Sequence, residues 1–178
     1  MSGHNKWSKI KHQKAIVDSR KSTAFSKLTR KITIAARDGG GDPAMNAALA
    51  LLVEKAKETN MPKDTVLKAI KKGTGELGET TSYETLTYEG YGPFGVAILI
   101  MTATDNKNRT VSEIRTILER GGGSLGTTGS ASYIFDKQLN PTFEISLTED
   151  DYKKVRELLS ELEEQADVLD VYANYSKA

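Results

Sequence analysis

The segment Gly95-Val-Ala-Ile-Leu-Ile-Met-Thr102 is continuously apolar, and a run of that length bounded by turn residues reads as a buried β-strand. A buried strand needs neighbours to pair with and other elements to cover it, so this run commits the surrounding chain to a sheet. Before it, Tyr83 to Tyr88 reads as a second strand. After it, Thr110-Val-Ser-Glu113 has capping-box spacing and opens a helix carrying Val111, Ile114, Ile117 and Leu118, which Gly121 to Gly123 stop. Ala131 to Phe135 and Thr142 to Leu147 read as strands separated only by Asp136 to Pro141, a length that predicts a hairpin of antiparallel neighbours. Tyr152, Val155, Leu158, Leu159 and Leu162 define a final amphipathic helix, and Val168 to Tyr175 alternates like a closing strand. Counted from Val96 the order is βαββαβ, the ferredoxin-like split βαβ unit with one extra preceding strand.

Upstream of Tyr83 the apolar period is helical instead. Phe25, Leu28 and Ile32 with Ala35 or Ala36 predict a helix over Ala24 to Arg37, stopped by Gly39 to Gly41. Asp42-Pro43 reads as an N-cap with proline at the first helical position, followed by the stripe Met45, Leu49, Leu52, Val53 and Ala56. Met61-Pro-Lys-Asp64 starts a shorter helix with Val66, Leu67 and Ile70 inward and Gly73 as its stop. The expected class is therefore α+β. Residues 1–73 form a basic helical domain with an N-terminal arm, 74–82 a Gly-, Glu- and Thr-rich linker, and 83–178 the ferredoxin-like domain.

The 178 residues carry a net charge of only +1, which by itself suggests no polyanion partner. That average conceals a strong segregation. Residues 1–37 hold ten Lys or Arg against Asp18 alone, an excess of nine, whereas residues 138–178 carry a deficit of six. With no cysteine there is no disulfide framework, Cys-ligated zinc or thiol nucleophile. No stretch approaches the roughly 18 apolar residues of a membrane span, and Met-Ser-Gly-His-Asn-Lys-Trp7 has no signal-peptide core, so a cytoplasmic protein without a membrane partner is expected. A mitochondrial transit peptide fits less well, because the basic segment is Lys-rich and contains His4 and Trp7.

Three segments match GxGxxG literally: Gly73 to Gly78, Gly90 to Gly95 and Gly121 to Gly126. Dinucleotide binding requires a strand before the glycines and a helix N-terminus after them, whereas these segments lead toward strands. Thr127 also stands where a P-loop needs lysine. Turns and helix stops account for the glycines, and no cofactor is expected. Both histidines, His4 and His12, lie in the basic segment, and no nucleophile has a supporting base. Glu161, Glu163 and Glu164 suit the solvated face of a helix better than a metal site. The chain is expected to be neither an enzyme nor a metalloprotein.

Phosphate binding is what the basic segment can do, since Lys and Arg side chains replace the counterions condensed on a nucleic acid. The candidates are Lys6, Lys9, Lys11, Lys14, Arg20, Lys21, Lys27, Arg30 and Lys31, with His12 a further phosphate or base contact. Trp7 either stacks on an exposed base or anchors the arm by burying its ring. A second candidate surface is Asp105 to Thr110, where Asn106, Lys107, Asn108 and Arg109 offer donors at a helix start. A purely structural reading of that loop, a capped connection between strand and helix, competes equally.

Several blocks carry a resemblance. Gly3-His-Asn-Lys-Trp-Ser-Lys-Ile-Lys-His-Gln-Lys14, Ala36 to Pro43, Asn60 to Asp64 and Ile70 to Leu77 resemble signature segments of the YebC family, as do Tyr88-Glu-Gly-Tyr-Gly-Pro93, Thr104 to Thr110, Gly121 to Gly126 and Gly129-Ser130. The resemblance implies a helical N-terminal domain followed by α/β domains. It also implies either DNA-binding transcriptional regulation or a translational role on ribosomes, including activation and the relief of stalling. Typical members carry an inserted third domain between the positions matching Asp136 and Thr142, where this chain joins directly, so it resembles a compact version. Duplex DNA and ribosomal or messenger RNA remain alternative partners, and the acidic C-terminal segment leaves open a protein-interaction module.

Overall fold

The computed structural model describes residues 4–78 and 82–178, with side chains from residue 17 onward. Two compact units make up the chain, Met1–Thr81 and Ser82–Ala178.

The first unit packs three helices. Helix α1 runs unbroken from His4 to Gly39 and absorbs the segment expected to be an arm. Residues 4–23 contain no Gly or Pro, so nothing in the backbone interrupts the i to i−4 ladder there. Leu28, Ile32 and Ala36 recur at four-residue spacing and are buried. They pack with Leu49 and Ala56 of α2 (Ala47–Glu58), with Met61, and with Val66 and Ala69 of α3 (Lys63–Thr74).

The start of α2 corrects the predicted Asp42 cap. Asp42 closes a turn instead, accepting the Ala44 N–H on its carboxylate at 2.9 Å and the Met45 N–H on its carbonyl at 3.0 Å. Met45, expected inside, is 85% exposed. The true cap is Asn46, whose Oδ1 accepts from Leu49 N at 3.1 Å while its Nδ2 donates to the carbonyls of Ala35 and Gly40, both at 2.8 Å. One side chain thus starts α2 and fastens it to the end of α1. Gly73 is likewise not a stop. A Cβ there would lie 2.3 Å from the Thr33 carbonyl oxygen and 2.8 Å from Ala36 Cβ, so its bare backbone permits the α1–α3 crossing. The helix ends two residues later at Gly75, whose φ of 78° places it in the left-handed region.

The second unit is a four-stranded antiparallel sheet ordered β3-β1-β2-β5, formed by Ser124–Leu125, Glu84–Tyr91, Ala97–Thr104 and Val168–Ala173. Strand β2 is the predicted buried run, and its alternation serves two faces. Ile98 and Ile100 pack against α4 (Lys107–Arg120) through Ile114, Ile117 and Leu118, and against α5 (Glu149–Glu164) through Val155, Leu158 and Leu162. Ala97 and Leu99 meet Ala131, Ile134 and Phe135 on the opposite face.

The α+β class stands, with the early strand β1 inside the sheet beside β2. The hairpin does not form as expected. Ser132–Ile134 is a 3-10 turn, and a single antiparallel bridge joins Phe135 to Pro141. Strand β4 (Ile145–Leu147) pairs in parallel with β6 (Tyr175–Lys177). The side chain of Asp136 consumes the turn, accepting from Gln138 N at 2.9 Å and Asn140 N at 2.8 Å, with Leu139 at a φ of 65°. Those backbone hydrogen bonds, led by Asn140, hold the Asp136 carboxyl below its usual range.

Candidate nucleic-acid interface

Helical geometry sorts the described part of α1 into two sides. Phe25, Leu28, Ile32 and Ala36 face the three-helix core. Arg20, Lys27 and Lys31, spaced seven and four residues apart, lie along the opposite side with Arg30 beside them. Arg20 is exposed, while Lys27, Arg30 and Lys31 are half-buried. Each of these four also has a partner within the chain. Lys21 sits nearer the apolar stripe, its Nζ 5.7 Å from the centroid of the Phe25 ring, within cation–π range. At the end of the helix Arg37 pairs with Asp38 at 2.7 Å. The backbone at Lys6, Trp7, Lys9, Lys11, His12 and Lys14 is part of α1, and the side chains of these six candidates lie outside the described ones.

The second candidate surface is organised inward. Asn106, not Thr110, caps α4, its side chain accepting from Arg109 N at 3.1 Å. Thr110 lies inside the first turn, fully buried, with Oγ1 2.7 Å from Asp167 Oδ2 and 2.8 Å from Thr104 Oγ1. The expected capping-box partner Glu113 accepts from Gln165 Nε2 at 2.8 Å. Arg109 donates through Nη2 to Asp167 at 2.8 Å and to Asp105 at 3.0 Å. These carboxylates, Asp167 foremost, raise the pKa of its guanidinium further above the ordinary arginine range. Asp167 has a side chain only 4% exposed, so Arg109 balances a buried charge and is the least available of the four loop candidates. Lys107 and Asn108 are exposed.

Another buried carboxylate organises the Gly-rich loop. Glu89, 6% exposed, accepts from the backbone N–H groups of Gly129 at 2.7 Å and of Ala131 and Ser132 at 2.8 Å. Burial pushes its carboxyl up, and these donors outweigh that and leave it below the ordinary glutamate value. The loop amides are therefore saturated by the protein's own anion. Among the described residues no cluster of three or more His, Cys, Asp or Glu could hold a metal ion, and no helix is long and apolar enough to cross a membrane.

Two family models match this architecture. The TACO1/YebC protein N-terminal domain covers residues 5–76, and the TACO1/YebC second and third domain covers residues 83–140. The chain belongs to the TACO1/YebC family. Curated relatives are called probable transcriptional regulatory proteins. One from Rubrobacter xylanophilus is 53% identical over 138 residues, covering 78% of this chain and 55% of the relative. Another, from Acidithiobacillus ferrooxidans, is 58% identical over 137 residues, covering 77% and 54%. One from Syntrophus aciditrophicus is 51% identical over 151 residues, covering 85% and 60%. The chain thus spans little more than half the length of these TACO1/YebC relatives. Its fold is similar to the crystal structure of a conserved hypothetical protein from Aquifex aeolicus, with a TM-score of 0.81 and 31% identity over 91% of this chain and 93% of that one.

Neither Glu89 nor Asp167 was singled out by sequence reasoning. Glu89 did carry a signal, a carboxylate within a strand and flanked by the glycine turn of Tyr88-Glu-Gly-Tyr-Gly-Pro93. Asp167 carried none, because its partners Thr104, Arg109 and Thr110 lie about sixty residues earlier.

Proposed function

We propose that this TACO1/YebC-family chain is a non-enzymatic regulatory factor of the cytoplasm that binds nucleic acid along α1, with transcriptional regulation on duplex DNA as the first reading. The observation that carries it is the excess of nine positive charges in residues 1–37, all within one continuous helix. A helix repeats its residues at a fixed backbone spacing, so successive Lys and Arg along it can neutralise phosphates together and release counterions on binding. The relatives' name as probable transcriptional regulatory proteins supports the DNA reading. We read the short Asp136–Asn140 turn as the compact closure that stands in place of an inserted domain.

A second reading, a translation factor on ribosomal or messenger RNA, is favoured by the chemistry of the same helix. Its cations are Lys and Arg, side chains suited to phosphate, and phosphate contacts position a protein without selecting sequence. Ribosomal RNA satisfies such a surface as readily as duplex DNA. Co-sedimentation with intact ribosomes at physiological salt, in the presence of excess competitor duplex DNA, separates the two. Loss to the DNA supports transcriptional regulation; retention on ribosomes makes translation the function and DNA binding a polyanion side effect.

A further inference from the structure

Apart from its basic helix, the first unit carries an open apolar cleft of about 430 Å³ on α2 and α3. Val53, Met61, Val66, Leu67 and Ile70 supply its walls. Leu67 is 54% exposed, an apolar side chain of α3 that its own core leaves uncovered. Lys57, Lys63 and Lys71 stand around the cleft. None of the three makes an ion pair among the described residues. Glu76 is the one carboxylate of the lining, and its Oε1 accepts from the Thr74 hydroxyl at 3.0 Å. Glu54 and Glu58 on α2 lie outside the lining.

We propose that this cleft docks an acidic amphipathic helix of a protein partner, its aliphatic side chains entering between Val53, Met61 and Leu67 and its carboxylates meeting Lys57, Lys63 and Lys71. The volume falls in the range of a cleft that receives a few side chains. Aliphatic and thioether walls adapt to leucine-type anchors spaced along one helix face. A nucleobase is the poorer occupant, because the lining offers no aromatic ring to stack on and no amide or hydroxyl side chain to read a base edge. The rim lysines set the sign of the partner. Their ammonium groups steer an acidic segment and reject a basic one at little cost to the free protein.

The test is fluorescence anisotropy of the full chain with a labelled synthetic helix carrying leucines at i, i+3 and i+7 and glutamates on its flanks, at physiological salt. Saturable binding is expected. It should weaken at least about tenfold, or about 1.4 kcal/mol, with Leu67→Glu and again with Lys57→Glu plus Lys71→Glu. A lysine-flanked version of the probe should not bind. Leu67 is exposed enough that its substitution leaves helix content intact by circular dichroism, and duplex DNA affinity should be unchanged in the same variant. Absence of saturable binding overturns the proposal, as does probe binding indifferent to Leu67→Glu, which would place the peptide on α1. Displacement of the probe by single-stranded oligonucleotide, combined with loss of oligonucleotide binding in Leu67→Glu, overturns it in favour of a nucleic-acid cleft.

Discussion

The two surfaces singled out for phosphate binding are built in opposite ways. On α1, Arg20, Lys27, Arg30 and Lys31 line the side of a helix turned away from its apolar stripe. In the loop before α4, the strongest cation, Arg109, is turned inward to Asp167, and the hydroxyls of Thr104 and Thr110 converge on the same carboxylate. Positive residues at a helix start resemble an anion site in one dimension. In three dimensions the nearest anion already belongs to the protein. The same contrast separates the two units. The α/β unit fastens its loops with the buried carboxylates Glu89 and Asp167, and the helical unit joins α1 to α2 with the neutral amide of Asn46.

Breaking that contrast is most costly at Glu89. Glu89→Ala would leave the N–H groups of Gly129, Ala131 and Ser132 without their acceptor, and the α/β unit should lose about 3 kcal/mol or more. Urea unfolding followed by circular dichroism would measure the loss, and an unchanged midpoint would contradict it. The helical unit and its nucleic-acid affinity should be spared. Glu89 also sets an acid dependence. Because its folded pKa is depressed, its contribution is fully present above the unfolded value of about 4.3 and is lost as pH falls through the lower folded value. Protection of the Gly129, Ala131 and Ser132 amides, with exchange rates corrected for their intrinsic pH dependence, should therefore fall on acidification in the wild type and show no such step in Glu89→Gln, which has no carboxylate to titrate.

In the helical unit the matching weak point is Gly73. Gly73→Ala forces a methyl group against the Thr33 carbonyl, and the helices must separate at a cost of about 1–3 kcal/mol. A thermal unfolding scan should show the drop. Smaller still is the loss expected from Arg109→Ala, because its 45% exposed guanidinium is screened by water even as it balances Asp167. That variant sharpens the comparison, since it should lower stability while leaving duplex affinity as it was.

Legibility in the sequence followed the range of the interaction. The continuous apolar character of β2, the stripes of α4 and α5 and the helical period of Leu28 and Ile32 are local, and each appears where its pattern predicted. Caps were less legible because several residues of the right type compete. Asp42 and Thr110 each have the right chemistry for a cap, yet Asn46 and Asn106 take the role, one fastened by bonds to Ala35 and Gly40 and the other by Thr104 Oγ1 accepting its backbone N–H at 2.9 Å. The hairpin predicted between Phe135 and Thr142 stops at a single antiparallel bridge, Phe135 to Pro141, for a similar reason. The edge of β4 finds β6 thirty residues downstream, a pairing that no local turn signal encodes. At the candidate interface, charge density was readable, but the direction of Arg109 was not, since it depends on an aspartate 58 residues away.

The central claim is that α1, and not the loop before α4, carries polyanion binding. Its most direct test is the slope of log affinity against log salt for duplex DNA, measured on the wild type, on Lys9→Ala/Lys11→Ala/Lys14→Ala and on Lys107→Ala/Arg109→Ala. The expected slope is shallower by up to about 0.9 for each phosphate that the α1 variant no longer neutralises, and equal to the wild-type slope for the loop variant. An unchanged slope in the first, or an equal flattening in the second, would contradict it.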